Sequence, residues 1–555
     1  MIGVIANPSE RPIVSEFFEL FKTPWEFYRS VRHYDVVLCS GDVGFEQQSA
    51  KLILLYAGEK LEFDAEEQIE VSSRKSTGML SYRGAQLPIY GDCITFAETG
   101  EEVLVDDEHR PAAMDLKRTR NSVVKRIGYG LFSEIATLLT VGQPVAYARI
   151  PTLDLHIALL REMILASGIT LAEVPPIPHG YEFIACLTHD VDHPSISVHK
   201  WDHTMFGFLY RAICGSLGKL IRGRIQAKDL LTNWLAACKL PLVYMGFAND
   251  FWHGFEERYL ELEAGLASTF FVIPFKNYAG KDKHGLAPRK RASRYQARDV
   301  AGAVRRIMAA GCEVGLHGID AWLDSSRARD EIQEIRNLTR SSKIGVRMHW
   351  LYYGKQSPLA LEQAGAAYDS TVGYRETVGY RAGTTQAYKP LEAKRLLELP
   401  MHVMDTALFY PDYLGLSPDE AAKLLGEMAG HTAQLGGCFT INWHDRSLAP
   451  ERLWYAPYRD LVRDLKSRSP WFSTVGQAAA WFQKRRSVVF EVDSLKPGGV
   501  YARVGADGGN DLPGLRLRIH RPHEAGRTSV YSSEDYVDML FDENLDVQVP
   551  CGVAG

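Results

Sequence analysis

Phe183-Ile-Ala-Cys-Leu-Thr-His-Asp-Val-Asp-His-Pro194 is a short apolar run that ends in two carboxylates one residue apart. Its composition suits a buried strand, and a buried parallel strand delivers the residues after it to the carboxyl edge of a sheet, where α/β folds place their chemistry. Asp190 and Asp192, with His189 and His193 beside them, are costly at such a place unless they hold a cation or move a proton. Taken alone, the segment reads equally well as a solvated strand-to-loop turn.

Later segments repeat the pattern. Ala267-Ser-Thr-Phe-Phe-Val-Ile-Pro274 has strand character. Gly311-Cys-Glu-Val-Gly-Leu-His-Gly-Ile-Asp320 puts His317 and Asp320 just past another apolar run. Ile344-Gly-Val-Arg-Met-His-Trp350 ends in Arg347 and His349, and Cys438-Phe-Thr-Ile-Asn-Trp-His-Asp445 ends in His444. Strand after strand closes on His, Asp or Arg, which predicts a barrel with one site at the C-terminal mouth of its strands.

The order of these motifs resembles the polysaccharide deacetylase (NodB-homology) family of carbohydrate esterases, over roughly residues 180–485. Thr188-His-Asp-Val-Asp192 is similar to the family's opening acidic motif, Thr269-Phe-Phe271 to its second strand, and Gly311 to Gly318 to its metal-binding segment. Arg347-Met-His-Trp350, Tyr368-Asp-Ser-Thr371, Leu399 to Asp405 and Trp443-His444 come next, in the family's order. The resemblance implies an α/β fold: a distorted (β/α) barrel at 179–485, with an insertion at about 200–250. Around it the sequence divides into an α/β domain at 1–110, a helical connector at 111–178 and a small β-rich domain at 486–555. One departure stands out. The family's second metal histidine lies four residues after the first, and here that position is Ala321; Asp320 or His349 would have to substitute.

The resemblance also implies a chemistry, removal of N-acetyl groups from a carbohydrate by a metal-activated water. Carboxylate and imidazole ligands suit zinc and related divalent ions. Asp192 and His317 are the expected ligands, with Asp320 as third. Asp190 would be the general base, paired with Arg347, and His444 the general acid, oriented and kept protonated by Asp405. Trp350 and Trp443 are candidates for a sugar-facing wall or for core. Asp445, His199, His203 and His253 read as turn or surface residues. Two other functions stay open: a carbohydrate-binding homologue without turnover, and a glycosyltransferase holding a nucleotide-sugar through Asp190-Val-Asp192.

Bulk composition bounds the rest. The 555 residues predict two to four domains. An apolar fraction of 46% and a charged fraction of 24% are those of an ordinary globular protein, and the net charge of −5 gives no footprint for nucleic acid. No run of eighteen apolar residues predicts a membrane span, and the N-terminus does not read as a secretory signal. The eight cysteines are scattered, without a Cys-x-x-Cys pair, as in a cytoplasmic protein. Residues 121–139 carry apolar positions at helical spacing, with Asn121 as cap. Residues 203–228 contain no acid but include Arg211, Lys219, Arg222, Arg224 and Lys228 among apolar residues. They are read either as a helical insertion packed on the barrel or as a peripheral contact with an anionic membrane, where a lipid-linked precursor of a bacterial surface polysaccharide would be found.

Overall fold

The structure, a computed structural model, describes residues 1–42, 50–97, 104–119, 122–492, 499–505, 512–522, 536–541 and 545–548. At its centre six strands run in the order Val346–Met348, Glu313–Gly318, Ser268–Val272, Ile184–Val191, Cys438–Asn442, Val403–Met404, and Trp471–Phe472 pairs with the start of Ile184–Val191. Every one of these pairings is parallel. Parallel strands need crossovers, and helices Ala301–Ala309, Ser325–Thr339, Pro418–Leu435 and Tyr455–Ser467 supply them. The strands are covered on both faces, so Ile184–Val191, Ser268–Val272 and Cys438–Asn442 are buried at every position.

An irregular segment closes the ring. Val346 bridges in parallel to Asp369, and Asp369 to Glu398. From there Leu399 N donates to Asp369 O and Met401 N to Val372 O, each at 2.8 Å, while His402 N turns to the other side and donates to Thr440 O at 3.0 Å. Residues 398–404 thus pair with both open edges, and the architecture is the expected α/β one, a distorted (β/α) barrel.

The connector expected at 111–178 is not wholly helical. Ala113–Thr119 and Ser122–Ile127 form an antiparallel hairpin, and Ser122–Ile127 runs parallel to Leu52–Tyr56. Both belong to a six-stranded sheet with Ile2–Ile5, Trp25–Phe27 and Val36–Ser40. The helical spacing read over 121–139 spans a strand and then the helix Leu131–Thr140. Pairing with a buried neighbour overrode local periodicity there. After residue 486 the expected strands appear, and Leu515–His520 pairs antiparallel with Leu171–Glu173, which precedes the barrel.

Polar clamps hold these modules together. Arg485, fully buried, donates to Val174 O, Leu20 O, Glu19 O and Gln386 Oε1. Arg486 meets Glu16 through two bonds of 2.7 and 2.8 Å. Glu173 accepts a bidentate pair from Arg161 at 2.8 and 2.9 Å and stands 3.1 Å from His520 Nε2. Burial alone would push the Glu173 carboxyl up, but the Arg161 and His520 charges outweigh it and hold it well below the usual carboxylate range. A carboxyl depressed in the folded state stabilises above its unfolded value, about 4.3, and that stability is lost as the pH falls toward the folded value. Glu173→Gln is therefore expected to cost about 3–5 kcal/mol at neutral pH, because it strands Arg161. The loss, followed by urea unfolding at pH 7 and pH 4, should shrink at the lower pH; an unchanged midpoint at pH 7 would contradict the clamp.

Candidate metal centre and catalytic cavity

Side chains alternate along Ile184–Val191, so Thr188 and Asp190 face the inside of the barrel and His189 faces out. His189 packs on Tyr259 with ring centroids 3.8 Å apart, and its Nε2 stands 3.0 Å from Glu263 Oε1, away from the site. Asp192 continues the inner row just past the strand end. Two strands over, His317 lies in register with Arg347. His317 Nδ1 is 3.0 Å from Arg347 O; a carbonyl only accepts, so Nδ1 carries a proton and Nε2 is the nitrogen left to face the interior, where in the neutral ring it offers a lone pair.

Three side chains converge there. His317 Nε2 is 3.3 Å and His349 Nε2 3.6 Å from Asp192 Oδ1, an oxygen that is buried without a hydrogen-bond partner. Candidate donor atoms of Asp192, His317 and His349 all lie within 4.8 Å of one another. Two ligands at ~2.1 Å from a tetrahedral ion sit about 3.4 Å apart, so this set fits a divalent cation. Burial pushes the His349 imidazole well below its ordinary value, keeping it neutral as a ligand must be. Burial would raise Asp192, but the surrounding imidazoles hold it well below the usual carboxylate range. His444, 3.8 Å from Asp192 Oδ2, is a cationic neighbour of that carboxylate that requires no charge on His349.

Asp320, the third ligand expected from sequence, is not in this group. Its carboxylate accepts from Tyr278 Oη and from Lys281 N at 2.8 Å. Gly280, at φ +72°, lets that loop close on it; a Cβ there would collide with Asp320 Oδ1. His349 brings a second imidazole to the group from the residue just after the strand beside His317, with ring centroids 5.0 Å apart. Arg291 holds the turn after it by donating to His349 O and Ile319 O at 2.8 and 2.9 Å. Trp350 and Leu351, at φ +65° and +53°, come next in the left-handed region, a cost of about 1–3 kcal/mol each that sets Trp350 on the cavity wall.

Asp190 and His444 flank the donor group. Arg347, 0% exposed, reaches Asp190 Oδ1 at 3.1 Å and Thr188 Oγ1 at 2.6 Å, and donates to Ser370 O and Oγ at 3.0 Å. Asn442 Nδ2 donates to Asp190 Oδ2 at 2.7 Å. The sequence reading missed Asn442; its signal was one amide at the end of an apolar strand. On the other side, Asp405 Oδ1 is 2.6 Å from His444 Nδ1 and Oδ2 accepts His444 N at 2.8 Å. Burial works against charge on His444, but Asp405, aided by Asp192 and Asp190, pushes the imidazole up to about 10. His444 Nε2 is 3.8 Å from Asp192 Oδ2, and His317 Nε2 is 3.8 Å from Asp190 Oδ2.

The remaining expectations divide. Trp443 is fully buried core. His199, expected at the surface, is 2% exposed and bonds His193 Nδ1 at 3.0 Å and Asp202 at 2.8 Å. Asp445 accepts His193 N at 2.9 Å, so it fixes the turn after the acidic motif. His203 lines the cavity, which has a volume of about 330 Å³.

No protein-family model and no curated protein matches the chain. Solved structures do. A Mycobacterium smegmatis protein assigned as a polysaccharide deacetylase aligns with 56% of this chain and 95% of its own, at 20% identity and a TM-score of 0.35. The PuuE allantoinase aligns over 55% and 92%, at 15% identity and a TM-score of 0.34. Agd3, described as a novel carbohydrate deacetylase, aligns over 98% and 99%, at 9% identity and a TM-score of 0.35. Deacetylases therefore stand among the matched structures, while the reading of the site rests on its own geometry.

That geometry discriminates between ligands. His349→Ala should weaken zinc or cobalt binding by more than the roughly 10–100-fold that loss of a supporting partner costs. Asp320→Asn should leave metal content near one per chain. The opposite ranking, read by elemental analysis and competition with a chelator, would return the third ligand to Asp320.

Proposed function

We propose that this chain is a metal-dependent amide hydrolase that removes N-acetyl groups from a carbohydrate. The observation that carries the reading is the placement of a carboxylate and an imidazole paired with Asp405 on either side of one Asp–His–His donor group, in one cavity. A divalent cation held by Asp192, His317 and His349 would polarise the amide carbonyl and lower the pKa of a bound water. Asp190, oriented by Arg347 and Asn442, is placed to take the proton of the attacking water. His444, charged through its pair with Asp405, is placed to give a proton to the departing nitrogen. Trp350, on the cavity wall, offers a flat apolar face of the kind that sugar rings stack on. The substrate class comes from the order of the motifs. A polymer or lipid-linked precursor of a bacterial surface polysaccharide is the setting we favour.

Asp190 bears on the transferase alternative. Each of its oxygens accepts one hydrogen bond, from Arg347 and from Asn442, and keeps a lone pair for a proton, whereas Asp192 Oδ1 is buried without a hydrogen-bond partner and faces the two imidazoles. A nucleotide-sugar site of the Asp-x-Asp type would draw on both.

Acetate release from N-acetylhexosamine oligomers tests the reading. It should be abolished by a chelator and restored by zinc or cobalt. Asp190→Asn and His444→Ala should each lower kcat/KM about 10²–10⁴-fold, with His444→Ala still binding metal. Glycan binding with no acetate released by the metal-loaded protein would make it a carbohydrate-binding protein, and consumption of a nucleotide-sugar would make it a transferase.

A further inference from the structure

The surface of the insertion before residue 255 does not behave like the rest of the molecule. His203–Tyr210, a π-helical turn Arg211–Gly215 and Ser216–Ile221 form one limb, and Ala227–Tyr244 forms the other. Their facing sides make a small core of Met205, Phe208, Ala212, Ala236, Leu240 and Val243, closed by Trp252. A helical hairpin that has buried one apolar face should be polar on the other. This one is not. Phe206, Tyr210, Ile213, Leu217 and Ile221, spaced as one helical face, are exposed. So are Leu231, Trp234, Leu235, Leu242 and Met245 along the second limb. Trp234 Nε1 lies 3.5 Å from Ile213 O, so the two stripes meet. Trp201 and Phe247, at the base, are 82% and 80% exposed. Roughly half of the large apolar side chains exposed among the described residues fall between 198 and 247.

The charges identify what would cover this face. Arg222, Arg224, Lys228 and Lys239 are exposed around it. Between residues 203 and 248 the one acid is Asp229, spent on capping the second limb through Gln226 N. The cationic character continues inward. Arg211 on the arm and Arg446 on the barrel line the cavity and form no ion pair among the described residues. They and Arg452 surround Tyr410, where burial would raise the phenol but the three guanidiniums bring it down to about 7. Apolar stripes with basic margins match a bilayer that offers acyl chains beneath anionic headgroups. A second protein would need a matching acidic rim around an apolar centre, whereas a bilayer with anionic headgroups offers both at once.

We propose that residues 201–247 form a docking arm for an anionic phospholipid surface. The arm widens the membrane contact read from sequence at 203–228 and changes its character: the contact is a pair of apolar stripes with a basic margin. Because His203, Thr204 and Arg211 of the arm line the cavity, docking brings the mouth to the bilayer, where a glycan held on a lipid would be presented. The docking itself does not depend on the hydrolytic reading.

Co-flotation of the full chain with vesicles tests it. The protein should float with phosphatidylcholine vesicles containing phosphatidylglycerol, less well as salt rises, and poorly with phosphatidylcholine alone. Reversing Arg222, Arg224 and Lys228 to Glu should weaken partitioning roughly a hundred-fold or more. Leu235→Ser with Ile221→Ser, both at exposed positions, should abolish it while leaving circular dichroism and metal content unchanged. Cys214 and Cys238, exposed on the arm, take a polarity-sensitive fluorophore whose emission should shift to the blue on vesicles. Three results would overturn the proposal: no flotation at low salt, equal flotation on neutral and anionic vesicles that charge reversal does not change, or a stable dimer that the serine variants dissociate without any vesicle binding by the parent.

Discussion

The buried guanidinium of Arg347 is the constraint on which the site depends. It starts on one strand and reaches across the barrel interior to Thr188 and Asp190, three strands away, while also tying down the Ser370 turn. A charge in that position is tolerable because each of its three nitrogens is hydrogen-bonded; breaking such a group by removing one partner costs several kcal/mol. Its backbone serves the same end, since Arg347 O fixes the tautomer of His317. One residue therefore orients the proposed base and one of the proposed metal ligands. The ring-closing segment 398–404 completes the frame and delivers Asp405 to His444.

Much of this was legible in the sequence for a simple reason. In a parallel barrel each buried strand ends at the same edge, so a polar residue after an apolar run is already placed in depth, and Asp190, Asp192, His317, Arg347 and His444 could be named without coordinates. Placement around the ring is another matter. Choosing between Asp320 and His349 required knowing that the strand of Arg347 lies beside that of His317, and that the loop around Gly280 folds down over Asp320. Both are contacts between residues distant in sequence. Asn442 was hidden for the same reason, because its partner Asp190 is 252 residues away. The strand Ser122–Ile127 was read as helix because its period is short and its partner, Leu52–Tyr56, lies far upstream.

Ala321 takes on a different meaning in this light. The motif order resembles a family with a second histidine at that position, yet Ala321 is fully buried and the second imidazole beside Asp192 and His317 belongs to His349. On the proposed reading, a donor set of one carboxylate and two imidazoles would be kept, with the second imidazole supplied from the end of the neighbouring strand. The helical arm adds a second departure: it carries its own core and contributes Arg211 to the cavity wall, so the surroundings of the site are built by two parts of the chain.

X-ray absorption at the metal edge of the cobalt- or zinc-loaded protein tests the central claim most directly. The account predicts one ion with two imidazole nitrogens, the remaining ligands oxygen, and no sulfur. A shell with a single imidazole, or with thiolate, would contradict it.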